Sequence, residues 1–160
     1  MDSLYDGCRD RLLRECPWNF AIKRVALATD GTPAWGTDVY AYTYPVPSDF
    51  LYMMHTENFQ DYTLEGNKIL AASSNGVAGG ALKIRYVARI TDASVYDTLF
   101  VEALAYRLAY EACERITQSN TKKSDLFSEY ELTMTRAKRL NGQEDSPENY
   151  VDDEWILARL

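Results

Sequence analysis

The spacing of apolar residues changes from strand-like to helical near residue 91, and this switch limits the folds open to the chain. Between residues 18 and 90, apolar and polar residues alternate in short runs, as in strands that bury one face. After Thr91-Asp92, apolar residues recur every three or four positions, which predicts an amphipathic helix. Residues 3–16 have the same helical spacing, and Pro17 disfavours helical backbone at the residue before it. The sequence therefore predicts helices at both ends and strands between them.

The apolar stripe of the second helical region is long and unbroken. It comprises Val95, Leu99, Phe100, Ala103, Leu104, Leu108, Ala112 and Ile116. A turn is expected at 118–124, followed by a last helix over 125–140 that ends at Asn141-Gly142. The predicted stripe of this last helix is Leu126, Phe127, Tyr130, Met134 and Ala137.

Three strand-like segments of the middle region carry distinctive side chains. In "VYAYTYP", Tyr40, Tyr42 and Tyr44 lie on one face. This face either packs on the β core or forms an exposed ladder that contacts another subunit or a ligand. In "YTLEGNKIL", Gly66-Asn67 predicts a β-hairpin. In "LKIRYVARI", an apolar face lies opposite a mostly basic one. The apolar face is Ile84, Tyr86, Ala88 and Ile90, and the other face carries Lys83, Arg85 and Arg89.

In the stretch "WNFAIKRVALA" at 18–28, the regular alternation of apolar residues with other residues is interrupted. Trp18, Phe20 and Ile22 alternate with other residues, and then Lys23-Arg24 shifts the apolar phase by one residue. A bulge in an edge strand produces such a shift, and charges protect edges. A surface where copies of the chain meet is the alternative interpretation.

Together these patterns predict an α+β fold. A small helical bundle is built from both chain ends, residues 1–16 and 91–142. An antiparallel β lobe, sandwich- or barrel-like, is inserted at 17–90. An extended acidic arm follows at 143–160.

The charge of the chain is concentrated in that arm. The net charge is −7, which argues against a general affinity for nucleic-acid phosphates. Residues 143–160 contain six acidic residues against Arg159 alone, so the arm carries −5 of this total. The arm ends with Trp155, Ile156, Leu157 and Leu160. We expect it to order by docking on its own chain, on a neighbouring copy or on another protein, with Trp155 as the anchor.

Catalytic and metal-binding patterns are not found in the sequence. His55 is the only histidine, and the three cysteines (Cys8, Cys16, Cys113) have no CxxC spacing. The glycine-rich stretch "AASSNGVAGGA" lacks the Lys-Ser/Thr pair of a phosphate-binding loop. The sequence predicts a protein that is not an enzyme, with no catalytic residues, no metal and no cofactor, and no membrane-spanning segment.

An ordered set of segments resembles a known family. "CPWNFAIKRVALA", "YPVPSDFLY", "YTLEGNKIL", "IRYVARITD", "FVEALAYRLAYEACERIT" and the terminal "DDEWILARL" occur in this order. Together they resemble the head-to-tail connector, or tail tubular protein A, of short-tailed bacteriophages, over about Arg11 to Leu160. Members of that family usually have a further N-terminal helical stretch before the segment that matches "LLRECPWNFA", which only Met1 to Arg11 precede here.

The resemblance implies a virion protein at the portal vertex that is assembled in the host cytoplasm. It implies a homo-oligomeric ring of twelve copies between the portal protein and a tail nozzle of the tail tubular protein B type. Such a ring presents a platform for tail fibres, and genomic DNA passes through it without sequence-specific binding.

Roles for particular residues accompany this expectation. Subunit or portal contacts are expected from Trp155, Ile156, Leu157, Arg159, Leu160, Lys23 and Arg24. Trp18 and Phe20 are expected to anchor the β lobe to the helices. Tail-side or subunit contacts are expected from Tyr40, Tyr42, Tyr44, Lys83, Arg85 and Arg89. Channel lining is expected from Glu102, Glu111 and Glu114.

Two other classes of function stay open at this point. An aromatic-rich binding module for a carbohydrate or protein ligand would use the tyrosine-rich strands. A small hydrolase using Asp and Ser would need a pocket with convergent carboxylates.

Overall fold

The chain has an α+β fold with helices near both ends, as the sequence predicts. A computed structural model describes residues 2–31, 40–57, 61–71 and 80–144. In this part of the chain, helix α1 (Asp2–Glu15) precedes the strands, and helices α2 (Thr98–Thr117) and α3 (Asn120–Glu144) follow them. The strands are β1 (Ile22–Leu27), β2 (Tyr42–Pro45), β3 (Phe50–Thr56), β4 (Tyr62–Glu65), β5 (Lys68–Ala71) and β6 (Leu82–Ala88).

The described strands form two antiparallel sheets and no closed barrel. The central sheet has the order β1-β6-β3, and the outer sheet has the order β2-β5-β4. The predicted hairpin is the β4–β5 pair, which turns at Gly66-Asn67. Gly66 has a φ of +58°, a left-handed conformation that glycine adopts without steric cost. Strand β2 ends at Pro45, which lies opposite Lys68.

The central sheet is the middle of three layers, because β6 buries side chains on both of its faces. Ile84, Tyr86 and Ala88 pack in a core with Tyr44 and Ile69 of the outer sheet. Val87, on the opposite face, packs in a second core with Leu51 and the buried faces of the helices. The central sheet is therefore shared between the β lobe and the helical bundle.

Four aromatic residues join the helices to the start of β1. Trp18 is buried, and its ring meets Phe100 of α2 edge to face with centroids 5.1 Å apart. Phe20 also lies 5.1 Å from Phe100, and Tyr96 completes the cluster at 4.8 Å. The Trp18 indole N–H donates a 3.0 Å hydrogen bond to the carbonyl of Leu12 near the end of α1. This junction fixes α1, α2 and β1 relative to one another.

The irregular stretch at 18–28 has a different cause from the predicted bulge. Residues Asn19–Ala21 form a single 3₁₀ turn, and β1 begins only at Ile22. From Ile22 opposite Val87 to Leu27 opposite Leu82, the pairing is regular. The apolar phase shifts because Ile22 lies opposite Val87, which faces the helices, whereas Val25 lies opposite Ile84, which faces the outer sheet. The bulge prediction is therefore wrong. The edge position of β1 is confirmed within the described sheet, and the register shifts lie in β3 instead.

The helix boundaries differ from prediction at three points. Asp92 caps a short turn at Ala93–Val95, and Asp97 is the N-cap of α2. Helix α2 ends at Thr117 and is capped by Gln118, which has a φ of +50°, and α3 begins at Asn120. The predicted turn at 118–124 is therefore mostly helix.

Helix α3 also continues past its predicted end at Asn141-Gly142, to Glu144. The side chain of Asn141 holds the chain that enters β1. Its Nδ2 donates to the carbonyl of Pro17 at 2.7 Å, and its Oδ1 accepts from the backbone N–H of Asn19 at 2.9 Å. Asn141 therefore clamps α3 to this segment and does not terminate the helix.

The aromatic junction predicts a large stability difference between two neighbouring positions of α2. Phe100→Ala removes a fully buried ring that contacts three other rings, so we expect a loss of about 3–5 kcal/mol of unfolding free energy. Val101→Ala is the matched control, because Val101 is exposed, and its cost should stay below about 1 kcal/mol. Urea unfolding of both variants measures the difference. Equal costs would contradict the assigned junction.

Candidate interaction surfaces

Reactive groups do not converge in the described residues. No group of three or more His, Cys, Asp or Glu side chains there is arranged to hold a metal ion. Cys8 and Cys16 are buried, and burial is the main cause that raises the pKa of both thiols. Because the thiolate is the nucleophilic form, these cysteines are poor nucleophiles at neutral pH. None of the helices described combines the length and apolar composition needed to cross a membrane.

The outer side of α2 carries an exposed apolar row, which we call the α2 stripe. It consists of Val101, Ala105, Ala109, Ala112 and Ile116. Their spacing of three or four residues puts them on one side of the helix. Val101 is 49% exposed and Ile116 is 75% exposed, whereas Phe100, Ala103 and Leu104 on the opposite side are buried. Val95 and Ile116, which the sequence assigns to one apolar stripe with Phe100 and Leu104, are exposed instead of buried with them.

A groove runs beside the α2 stripe, between α2 and α3. It encloses about 420 Å³ and has a mainly apolar lining. From α2 it is lined by Ala109, Ala112 and Ile116, and from α3 by Leu126 with Lys122 and Glu129 at its rim. The alanine side chains are short, so a partner helix or side chain can approach the backbone of α2 closely.

A second concave surface, which we call the basic groove, lies on the central sheet. It encloses about 340 Å³ and is lined by Arg24, Ala26, His55, Glu57, Lys83 and Arg85, with Val25 and Ile84. Arg24 of β1 lies directly opposite Arg85 of β6, and His55 of β3 lies opposite Arg85 on the other side. Like charges at opposed cross-strand positions are destabilising by themselves. An ion pair between Lys83 and Glu57 compensates part of the positive charge of the groove.

The predicted contact residues Lys23, Lys83 and Arg89 each form an ion pair within the chain. Lys23 Nζ lies 2.6 Å from Asp49, Lys83 Nζ lies 2.9 Å from Glu57, and Arg89 Nε lies 2.8 Å from Asp10. Lys23 and Arg24 are adjacent residues of a strand, so their side chains point to opposite faces of the sheet. Of this pair, only Arg24 belongs to the basic groove.

Asp49 connects Lys23 to the core between the two sheets. Its second oxygen accepts a 3.0 Å hydrogen bond from the hydroxyl of Tyr86, which is buried. Burial alone raises the pKa of Asp49, but the hydrogen bonds from Lys23 and Tyr86 outweigh it and hold this pKa below its ordinary value. Burial and the bond to Asp49 raise the pKa of Tyr86 to about 12.

The predicted tyrosine face packs into the protein. Tyr44 is fully buried in the core between the two sheets, and its hydroxyl donates to the carbonyl of Gly80 at 3.0 Å. Tyr42 is half-buried against the same core, and Tyr40 is half-buried as well. The alternative of an exposed tyrosine ladder is therefore wrong, because the ring of Tyr44 is not accessible.

The three predicted channel-lining glutamates do not share a face of α2. Glu102 is exposed and lies nine residues before Glu111, which corresponds to opposite sides of a helix. Glu111 contacts Arg107 at 3.1 Å and Arg11 at 3.4 Å. Glu114 contacts Lys123 at 2.9 Å, and this bond lowers the pKa of Glu114. A surface containing all three would have to wrap around the helix.

Other predicted residues fall into two groups. Trp18 and Phe20 pack on Phe100 and link the strands to the helices. Trp155, Ile156, Leu157, Arg159 and Leu160 lie outside the described residues. The sequence patterns did not predict the α2 stripe or the contribution of His55 to the basic groove. One feature of the sequence does indicate the stripe. Apolar residues surround most of the circumference of α2, whereas a helix that packs on one side needs apolar residues only on that side.

Comparison with models of known protein families gives no match, and comparison with curated protein sequences also gives none. The geometry described above and the resemblance in the sequence therefore carry the functional argument.

The role of Asp49 predicts that losing this carboxylate costs more stability than losing its partner Lys23. Asp49→Ala leaves the buried Tyr86 hydroxyl without its acceptor, so we expect a loss of about 1–3 kcal/mol at pH 7. Lys23→Met removes only a partly exposed ion pair and should cost less than about 1 kcal/mol. Denaturant unfolding at several pH values measures both.

The pH dependence of the same variants follows from the lowered pKa of Asp49. A carboxyl whose pKa is lowered by folding contributes stability above its ordinary pKa, near 4, and loses it as the pH falls through its folded-state value. The difference between wild type and Asp49→Ala should therefore shrink below about pH 4. A difference that stayed constant down to pH 2 would argue against an ionised Asp49 as the source.

Proposed function

We propose that the protein is a structural virion component of a short-tailed bacteriophage. In this proposal it forms a ring-shaped adaptor between the portal and the tail nozzle. The ring extends the DNA channel and offers an attachment platform for tail proteins. The observation that carries the proposal is the exposed α2 stripe, an apolar helix face that the packed core of the single chain leaves uncovered.

The α2 stripe supports self-association for a simple physical reason. Single exposed apolar residues are normal on a protein surface, but a continuous apolar row with a groove beside it is typical of an interaction site. Val101 and Ile116 mark the two ends of the row, fifteen residues apart on one helix. A row of this length fits a helix of another copy better than it fits a small ligand.

A closed ring needs two different faces on every subunit, because its contacts are head to tail. Helix α3 supplies a candidate for the second face. Leu132 is 53% exposed and lies on the side of α3 away from the buried Tyr130 and Met134. An α2 stripe on one side and the outer face of α3 on the other give each subunit the two surfaces that a ring requires.

The charge of the chain suits a conduit for DNA. The net charge of −7 disfavours tight binding of phosphates, so DNA could slide through a ring of such subunits. The twelve copies, the portal and nozzle partners, the tail fibres and the contacts by Trp155 and its neighbours come from the resemblance and are part of the proposal.

Negative-stain electron microscopy of the protein with the portal of its phage tests the proposed function. We expect an additional ring at the narrow end of the portal, which the portal alone lacks. A protein that stays monomeric and unattached in the presence of the portal would overturn the adaptor function.

The α2 stripe predicts which variants prevent ring formation. Val101→Glu with Ile116→Glu places two charges where a neighbour would bury them, so we expect at least about a tenfold drop in the fraction of portals that carry a ring. Leu64→Glu is the matched control, because Leu64 is a similarly exposed apolar residue on β4. Circular dichroism checks that all variants are folded. Rings that persist in the double variant would exclude the α2 stripe as the subunit contact.

A further inference from the structure

The outer face of α3 is a second helix face that the chain leaves uncovered. Asp125, Leu132 and Arg139 follow one another at intervals of seven residues, so they lie in one line along the helix. All three side chains are exposed, whereas Tyr130 and Met134 on the other side of α3 are buried. The outer face of α3 is therefore available to a partner, as the α2 stripe is.

These two faces lie on opposite sides of the α2–α3 pair. Three contacts join the helices, and their residue numbers run in opposite directions: Glu114 with Lys123, Tyr110 with Phe127, and Arg107 with Tyr130. The helices are therefore antiparallel. On each helix, the contact residues lie about half a turn around the axis from the uncovered face. One copy can thus bind a neighbour on either side of the pair.

We infer that the α2 stripe of one copy packs antiparallel against the outer face of α3 of the next copy. The inference rests on the proposed ring, because it states which two surfaces meet at each subunit contact and in which direction. A head-to-tail contact of this kind joins two different faces, and it leaves the same two faces open on the outer copies until the ring closes.

Charges at the ends of the two faces favour this direction. The α2 stripe has Glu102 beside its first residue and Arg115 beside its last. The outer face of α3 has the reverse order, with Asp125 near its start and Arg136 and Arg139 near its end. These five exposed side chains form no ion pair within the part of the chain that the structure describes. An antiparallel contact places Glu102 near the two arginines of α3. It also places Arg115 near Asp125, whereas a parallel contact would oppose like charges at both ends.

The two faces also agree in length and shape. The charged ends of the α2 stripe are thirteen residues apart and those of the outer face of α3 are fourteen apart, which correspond to about 20 Å and about 21 Å of helix. With these ends matched, Leu132 lies against the middle of the α2 stripe. The residues there are Ala105, Ala109 and Ala112, whose short side chains leave room for a leucine.

Ring symmetry requires the same direction as the charges favour. In a ring of twelve, neighbouring copies are related by a rotation of about 30°. Helix α2 of the next copy therefore keeps nearly the direction of the chain's own α2, which is antiparallel to α3. The α2 of the next copy is then antiparallel to α3 as well. Symmetry and charge are separate arguments, and they select one arrangement.

Charge reversal tests the pairing in rings assembled on the portal. Glu102→Arg sets like charges against each other at every subunit contact, so we expect at least about a tenfold drop in the fraction of portals that carry a ring. Adding Arg136→Glu and Arg139→Glu should restore that fraction, because the charges are then complementary again. The matched control adds Lys138→Glu and Arg24→Glu instead, which gives the same net charge. Lys138 lies about 100° around the helix axis from Arg139, and Arg24 lies on β1, so this control should not restore the rings.

Cross-linking tests the direction without changing any charge. Ala105→Cys with Thr135→Cys places two thiols at the same level of an antiparallel contact, and Ala105→Cys with Ser128→Cys does so for a parallel contact. In rings on the portal, a short bismaleimide should join the first variant into a ladder of multimers and leave the second monomeric. The wild type, whose three cysteines are buried, should also stay monomeric.

The outcomes separate this inference from the proposed function. A wild type that forms no ring on the portal would overturn the adaptor function and the inference together. Wild-type rings with cross-links only in the Ser128→Cys variant would overturn the antiparallel direction alone. Rings that tolerate Glu102→Arg, or that the compensating reversals on α3 fail to restore, would exclude the outer face of α3 as the partner of the α2 stripe.

Discussion

The contact of Trp18 and Phe20 with Phe100 is the interaction on which the rest of the structure depends. It lies where the chain leaves α1 and enters β1, so the packing of three rings sets the angle between the helices and the central sheet. The carbonyl of Leu12 near the end of α1 also accepts a hydrogen bond from the Trp18 indole N–H, which gives this buried polar group a partner. The side chain of Asn141 on α3 also holds this part of the chain, through its hydrogen bonds to Pro17 and Asn19.

This junction determines which surfaces stay open. Because α1 and α2 attach at the Trp18 end of the central sheet, they cover Val87 and Leu51 but not the part of β6 that carries Lys83. The uncovered part becomes the basic groove. The same arrangement turns the Phe100 side of α2 inward and leaves the side with Val101 and Ile116 outside. Both candidate surfaces are therefore consequences of one packing arrangement.

Local patterns in the sequence were sufficient for the elements and for much of the core. Period-two alternation located β6 and its buried Ile84, Tyr86 and Ala88, and Gly66-Asn67 located the hairpin turn. The patterns failed where a side chain acts over a long sequence distance. Asn141-Gly142 has the composition of a helix end, but Asn141 holds Pro17 and Asn19, more than 120 residues away in sequence. Similarly, nothing near Lys23 in the sequence indicates Asp49 as its partner.

The candidate surfaces were harder to predict because apolar periodicity does not tell a core face from an interface. Ile116 continues the four-residue spacing that begins at Phe100, but each such step turns about 40° past a full helical turn, so Ile116 lies on the exposed side of α2 with Val101. The cations of the basic groove come from β1 and β6, and their opposition appears only once the register pairs Arg24 with Arg85. An antiparallel register that sets like charges against each other loses stability unless an anion compensates them. Glu57, which follows β3, supplies part of this compensation through its ion pair with Lys83, and no local sequence pattern indicates that contact.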